Sequence, residues 1–565
     1  MKRCPECRRD YYDDTLLYCL DDGSELLEGP PSADEHATAV LPDVEVEAAT
    51  RVFSQSDNGN SGKDATKAIG LRNGLFATNR RLLIAGVVAV ALIAVCSFGF
   101  YYLYESDGDQ IRSLAVLPFE NGIGDAEMDY LSDGMSESLI DRLSQLSNLK
   151  VIARSSSFKH RGPDVDIMDV ADKLGVRALI MGRISREGDS LTVRVELIDA
   201  RDNKQIWGEQ FSRQAADIVS IDQEIARTVV ERLRPRLSGI AEIPAETKQR
   251  PSPKAFEYFL KGNFYIDRIG PESLKTANKF YLQAIIEEPE FAPAHARLSR
   301  SYILLASTSA MDPHEALPKA RDAAQQAIRL DENLPDAHIG LAAIYMNEWK
   351  WASAENEFKR AIELNPNLSD ARERYSYFLN MIGRPDEAVI EAKRARDLDP
   401  LSVSTNDNLG YQLFFARRYD EAESALKKTI ELDPSASAPY VCLGYTAAAR
   451  GRHDEAIEWY RNAAGRGDTT PSTKIYLGAS YARSGDRDMA KQILLELRSG
   501  NDYFSSGELA VLLAALDEKD AAFFSLEKAF SEHDLQLQFL KVDPALDPLR
   551  SDPRFADLVK RVGFP

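Results

Sequence analysis

The first residues with chemistry in their spacing are Cys4 and Cys7 of CPEC, followed by Cys19 and Asp22 of CLDD. Two thiolates three residues apart form half of a tetrahedral zinc site. Cys19 begins a second half after an eleven-residue gap, and Asp22 stands where a fourth cysteine would complete it. A carboxylate oxygen can ligate zinc, and a water can take the same place. A head this small is expected to need metal to fold, so the expected cofactor is one structural zinc held by Cys4, Cys7, Cys19 and Asp22.

Elsewhere the chemistry is sparse. The chain carries no phosphate-binding G-x-x-x-x-G-K-[ST], no H-E-x-x-H, no G-x-S-x-G and no kinase catalytic loop. Its 7 histidines are scattered, and no pair has metal-ligand spacing. Asn121-Gly122-Ile123-Gly124 lacks the third glycine of a dinucleotide fingerprint, because position 127 is Glu127. Cys442 has no adjacent histidine base. No enzyme activity is expected. A net charge of −20 argues against a nucleic-acid partner, and no small-molecule substrate is evident.

Residues 82–103, LLIAGVVAVALIAVCSFGFYYL, carry no charge and exceed the roughly 20 residues a helix needs to cross a bilayer. Lys63, Lys67, Arg72, Arg80 and Arg81 precede the run, whereas Glu105, Asp107 and Asp109 follow it. That bias places the N-terminus in the cytoplasm and the C-terminal domains outside it, periplasmic in a bacterial inner membrane. In a reducing cytoplasm the head's cysteines are metal ligands rather than a disulfide. Residues 28–80, rich in Pro, Ser, Asp, Asn and Gly, are expected to be a disordered linker between head and membrane. The head, CPECRRDYYDDTLLYCLDDGSEL, resembles a short zinc ribbon apart from Asp22.

From about 111 to 240 the pattern is α/β. SLAVLPF is an apolar run of strand length; Leu131, Met135, Leu139, Leu143 and Leu146 form a helical stripe. KVIARSSSF is expected to be a second strand, and Ile167, Val170, Ala171 and Leu174 mark a short helix stopped by Gly175. Three strands follow, turning at Glu187-Gly188-Asp189 and Arg201-Asp202-Asn203, before a closing amphipathic helix. The phrases IRSLAVLPFENG, DYLSDGMSESLIDRLSQLSNLKVIARSSSFKH and DVADKLGVRALIMGRISREGDSLTVRVELIDARDNKQIWGEQFSR closely resemble the TolB-amino-terminal-like domain. That resemblance implies an extracytoplasmic sensor or docking module of the kind attached to bacterial membrane regulators, kinases, cyclases and tetratricopeptide proteins.

Residues 253–530 repeat. Ala354, Phe358, Ala361 and Pro366 recur 34 residues on as Ala388, Ala392, Ala395 and Pro400, and again as Ala422, Leu426, Thr429 and Pro434. The small residues Ala342, Ser376, Gly410, Gly444 and Gly478 keep the same register. This is the tetratricopeptide (TPR) pattern of two antiparallel helices per unit, stacked into an all-α solenoid. Residues 531–565 are expected to cap the last helix. The groove-facing places are Tyr377, Tyr411 and Tyr445, then Asn380 and Phe414 one turn on, with Asp336, Glu373 and Asp407 on the other side of the small residue. The tyrosines either pack between repeats or anchor a peptide partner, for which the acidic flank would favour basic residues.

The reading that emerges is a membrane-anchored protein-interaction scaffold. The alternative is a transmembrane regulator that relays an outside signal to a partner of the zinc-ribbon-like head. The linker leaves no room for a kinase fold, so a receptor-enzyme remnant would not phosphorylate anything by itself.

Overall fold

The computed structural model describes the strand pairs at 2–3, 10–11 and 27–28, residues 110–237 except 123, 125–127 and 163–164, and residues 251–565 except 267, 269, 309, 501 and 502. Cys4, Cys7, Cys19 and Asp22, expected as zinc ligands, most of the stretch 28–80 expected as a linker, and the apolar run 82–104 lie outside the described residues. Among the described residues no helix is long and apolar enough to cross a membrane, and no cluster of metal-ligating groups occurs.

The chain falls into two compact units, Met1–Val90 and Ala91–Pro565. In the first, β1 (Lys2–Arg3) pairs antiparallel with β2 (Asp10–Tyr11) and β3 (Leu27–Glu28). Along the chain, Cys4 and Cys7 fall between β1 and β2, and Cys19 and Asp22 between β2 and β3.

The second unit is mostly helical and opens with a small α/β domain. Its strands are β4 (Ser113–Val116), β5 (Glu120–Asn121), β6 (Lys150–Val151), β7 (Ala178–Glu187), β8 (Ser190–Asp199) and β9 (Lys204–Gln214). They run in the order β6-β4-β7-β8-β9, with β5 also beside β7. The β4 pairings with β6 and β7 are parallel, and the two hairpins are antiparallel. Helices α1 (Asp129–Leu143) and α4 (Ile218–Leu233) bury Leu131, Met135, Leu139, Ile221, Ile225 and Val229 on one face of the sheet. The stretch expected as a second strand is strand only at Lys150–Val151; Arg154–Ser157 turns into the short helix α2. The reason is tertiary: the helical turn aims the Ser155 and Ser156 hydroxyls at Asp399, far along the chain. Helix α3 (Ile167–Leu174) starts on an Asp166 cap, whose carboxylate accepts the Met168 and Asp169 N–H groups, and ends at left-handed Gly175.

Sixteen helices in eight antiparallel pairs follow: α5/α6 (Pro253–Ile266, Pro271–Glu287), α7/α8 (Ala292–Ser307, Pro313–Leu330), α9/α10 (Pro335–Asn347, Trp351–Leu364), α11/α12 (Ser369–Met381, Pro385–Leu398), α13/α14 (Val403–Phe415, Tyr419–Leu432), α15/α16 (Ala438–Ala449, His453–Ala464), α17/α18 (Pro471–Ser484, Arg487–Ser499) and α19/α20 (Ser506–Ala515, Lys519–Ser531). These are TPR units. The small residue of the first helix is a requirement of close packing. A Cβ on Gly444 would sit 2.3 Å from the Tyr460 ring, and one on Gly262 2.4 Å from the Tyr281 ring.

The turns inside six of the eight pairs contain a left-handed residue, among the described residues: Trp349 (φ 56°), Gly383 (φ 85°), Arg417 (φ 59°), Gly451 (φ 73°) and Gly485 (φ 104°) in one 34-residue register, and Asp517 (φ 60°) in the α19/α20 turn. Glycine adopts this conformation freely, whereas tryptophan and arginine hold it at a cost of roughly 1–3 kcal/mol.

The α/β domain and the first repeats share one core. Ala255, Phe256 and Leu260 of α5 join the cluster that holds Leu114, Met135 and Ile225. Gly134 of α1 is the contact point, since a Cβ there would come 2.7 Å from the Leu260 side chain.

Candidate protein-binding face of the repeat array

The first helix of each pair supplies the inner face, and its two rims are differently covered. The α/β domain lies along the rim formed by the turns between repeats. The Asn367 side-chain amide donates to the Ser144 and Leu149 carbonyls at 2.8 Å each, and Asn365 donates to the Ser144 hydroxyl at 2.8 Å. Asp399 accepts from Ser155 and Ser156, while the Leu401 N–H donates to the Ser156 hydroxyl. Arg297 of α7, nearly buried, faces Glu137 at 3.5 Å, Asp141 at 3.2 Å and Asp336 at 3.7 Å.

The other rim, formed by the turns inside the pairs, is covered by the C-terminal segment. That segment consists of two 3-10 turns, Leu535–Phe539 and Pro544–Leu549, and helix α21 (Pro553–Val562). The expectation from sequence is that this segment caps the last helix. It also reaches back along the array as far as the α9/α10 pair, five repeats before the last. Phe539 stacks on Phe415 with centroids 5.1 Å apart, and Leu537, Leu540, Leu546 and Leu549 are buried.

Between the rims lie most of the residues singled out by spacing. Tyr377, Tyr411 and Tyr445 form a continuous ladder with centroid steps of 5.8 and 6.3 Å, extended to Tyr476 at 4.5 Å. Each keeps partial exposure. Tyr411 also meets Phe414, Phe415 and Phe539, so packing between repeats is a real part of its role. Phe414 is buried. Asn380 is fully buried and donates its amide to Gln412, which donates to Asn408, which donates to Ser376. Asn380 is therefore a rung between helices, and Asp336 belongs to the Arg297 cluster.

Glu373 and Asp407 remain half-buried at the floor, 34 residues apart on adjacent repeats. Glu373 accepts the Ser404 and Thr405 hydroxyls at 3.1 Å each. Burial, reinforced by Asp370, pushes its carboxyl up to about 7. Burial likewise pushes Asp407 up to about 7, with the Cys442 thiol 3.9 Å from its carboxylate. No lysine or arginine lies within ion-pair distance of either among the described residues. The Cys442 thiol is itself driven up by burial and by Asp407, which suits a packed thiol rather than a nucleophile.

These shifts have a definite sign. A carboxyl whose pKa is raised on folding adds stability that is full below its unfolded value and is lost as pH rises through the folded value. For Glu373 and Asp407 the window runs from about 4 to about 7. Thermal stability is expected to fall between about pH 4 and pH 7, and the Glu373→Gln, Asp407→Asn double variant to flatten that slope. An unchanged slope in the variant would assign the pH dependence to other groups.

Arg297, Asn367, Asp399 and the tail contacts escape sequence reasoning, with one exception. Trp349 and Arg417 stand where the same register elsewhere carries glycine, and that interruption is visible in the sequence.

Comparison with known proteins follows the same division. Residues 110–228 match the family model described as the HilA/YgeH-like transcriptional regulator, second domain. Residues 335–368 and 408–471 match tetratricopeptide repeat models. Over 235 residues the chain is 33% identical to "Putative adenylate cyclase 3" of Rhizobium meliloti, covering 41% of this chain and 39% of that protein. It is 24% identical over 235 residues to "Transcriptional regulator HilA" of Salmonella typhimurium, covering 41% of each. The matched stretch thus spans about two fifths of these curated relatives. Among solved structures, Pseudomonas aeruginosa PilF aligns at 18% identity and TM-score 0.31, over 41% of this chain and 98% of that one. The TPR protein YrrB aligns at 20% identity and TM-score 0.26, over 38% of this chain and 97% of that one. These likenesses concern fold alone.

Proposed function

We propose that this protein is a membrane-anchored, non-enzymatic interaction scaffold whose repeat array holds a peptide or protein partner outside the cytoplasm. The observation that carries the reading is the strip between the two covered rims. It combines partly exposed tyrosines with two half-buried carboxylates, Glu373 and Asp407, that have no lysine or arginine within ion-pair distance among the described residues. A lysine or arginine from a partner would supply the missing charge, and the tyrosine faces would hold its stem. TPR units support a protein partner, since stacked repeats build extended concave surfaces. The anchor is the apolar run 82–104, oriented by its basic flank, with the head on the cytoplasmic side. In that head Cys4, Cys7, Cys19 and Asp22 would hold zinc, a set that suits the metal's preference for thiolate and oxygen ligands.

The test is a photo-cross-linker placed at Tyr377 in the intact protein in its native membrane. Adducts are expected, and the Glu373→Gln, Asp407→Asn variant should reduce them. Adducts only from a site on the outer surface, such as Ile286, would move the partner elsewhere. For the anchor and head, protease added to spheroplasts should digest residues 105–565, and the purified chain should carry about one zinc that a Cys4→Ser, Cys7→Ser variant loses.

A second reading has support from the comparisons. The α/β domain matches a domain of proteins named transcriptional regulators, and part of the chain resembles a protein named an adenylate cyclase. On this reading the outside unit senses a ligand and the head conveys its state to a partner. The TolB-like resemblance fits the same role.

A further inference from the structure

We propose that the segment from His533 to Asp552 is a built-in ligand of the repeat array, seated on one rim and reaching the aromatic ladder through Phe539 and Asp543. It docks through Trp349 and Arg417 and must be displaced before a partner segment can use the aromatic ladder. The proposal rests on the reading of the inner face as a peptide groove.

The contacts of this segment fall on the repeats in a revealing order. His533 stacks on Trp349 with centroids 4.5 Å apart and planes 13° apart. Gln538 donates to the Asn347 side chain at 3.3 Å. Lys541 donates to the Ile382 carbonyl at 3.0 Å, beside left-handed Gly383. Arg417 grips Asp547 with both guanidinium nitrogens at 2.8 Å. Asp543 accepts the Tyr476 hydroxyl at 3.1 Å, at the far end of the tyrosine ladder. The turns of three successive repeats therefore each hold one part of the segment.

Two of those three turns carry a left-handed residue with a side chain; the third such turn of the array holds Asp517, which pairs with Arg487 instead. Strain that persists where glycine would remove it marks a position kept for another purpose. At Trp349 and Arg417 that purpose is visible: both side chains hold the segment, Trp349 through His533 and Arg417 through Asp547. The segment adds no strand to the array and forms no long helix on the inner face. It is held by side-chain anchors along two 3-10 turns, Leu535–Phe539 and Pro544–Leu549. Its Phe539 enters the aromatic cluster around Tyr411, and Asp543 occupies the Tyr476 hydroxyl, so a partner reaching these groups meets them already taken.

The experiment uses the full chain and a labelled peptide of residues 533–552. Trp349→Gly with Arg417→Gly removes both grips and relieves both strained turns, so the repeats should stay folded. With the segment docked more than nine-tenths of the time, the wild type should bind the peptide at least about tenfold more weakly than the variant. Amide exchange across Leu535–Leu549 should quicken in the variant, with the α15–α17 amides unchanged. A second variant, Asp543→Ala with Asp547→Lys, loosens the segment without touching the repeats and should bind the peptide likewise. Equal binding by wild type and both variants, or binding by none of them, would overturn the proposal and make the segment a permanent part of the core. The probe is the chain's own segment, so a failed partner cross-link at Tyr377 would not decide this result.

Discussion

Replacing Arg297 with alanine is expected to loosen the α/β domain from the repeat array at a cost of about 3 kcal/mol. The guanidinium is 10% exposed and faces carboxylates from two sources: Glu137 and Asp141 of the α/β domain, and Asp336 of α9. Removing it leaves Glu137, 7% exposed, short of one counter-charge in a dry interface. Arg154, 3.5 Å from Glu137, moderates the loss and keeps it at the lower end of what breaking a buried pair costs. The shared core around Leu260 and the Asn367 and Asp399 contacts would persist, so separation would be partial. Melting should change from one transition to two, with exchange quickening in α1 and at Asp336 first. Arg297→Lys should recover only part of the loss, because an ammonium cannot fork across three carboxylates. A single unshifted transition in Arg297→Ala would mean that apolar packing alone holds the interface.

The second large effect is expected at Tyr411. Its ring has centroid contacts of 4.6 to 6.3 Å with Tyr377, Phe414, Phe415, Tyr445 and Phe539, so three repeats and the C-terminal segment meet on it. Tyr411→Ala should cost about 3 kcal/mol in denaturant unfolding, mostly as an unfilled cavity. Tyr377→Ala removes a ring at the end of the ladder, with Tyr411 as its ring neighbour, and should cost only about 1 kcal/mol. The pair separates the two roles that spacing left open. If Tyr411→Ala unfolds no earlier than wild type yet fails to hold a partner, Tyr411 is an anchor. If it unfolds early, it is a packing hub and Tyr377 is the residue left for recognition.

Local periodicity explains what was legible. The 34-residue recurrence of Ala354, Phe358 and Ala361 reflects contacts within and between neighbouring units, so the solenoid could be read without knowing any distant contact. The alternation of Val193, Val195 and Leu197 did the same for the hairpin strands. Arg154–Ser157 was misread because nothing local signals Asp399, which lies more than 240 residues away. The groove residues divided for a similar reason. Spacing placed Asp336, Glu373 and Asp407 on one helical face, but only the packed α/β domain determines that Asp336 is consumed by Arg297 while the other two remain half-open. The C-terminal segment carries Pro544, Pro548 and Pro553, which mark turns and say nothing of where those turns land.

The α/β domain touches the array at Arg297, at Asn365 and Asn367, and at Asp399, points that belong to three successive steps of the stack. A stack of helix pairs is ordinarily a spring, free to stretch and coil because each unit leans only on its neighbours. Here a splint spans those steps and fixes their pitch. Under tension the array should keep its curvature between Arg297 and Leu401 until the α/β splint is torn away, while beyond Asp399 only the C-terminal segment braces it.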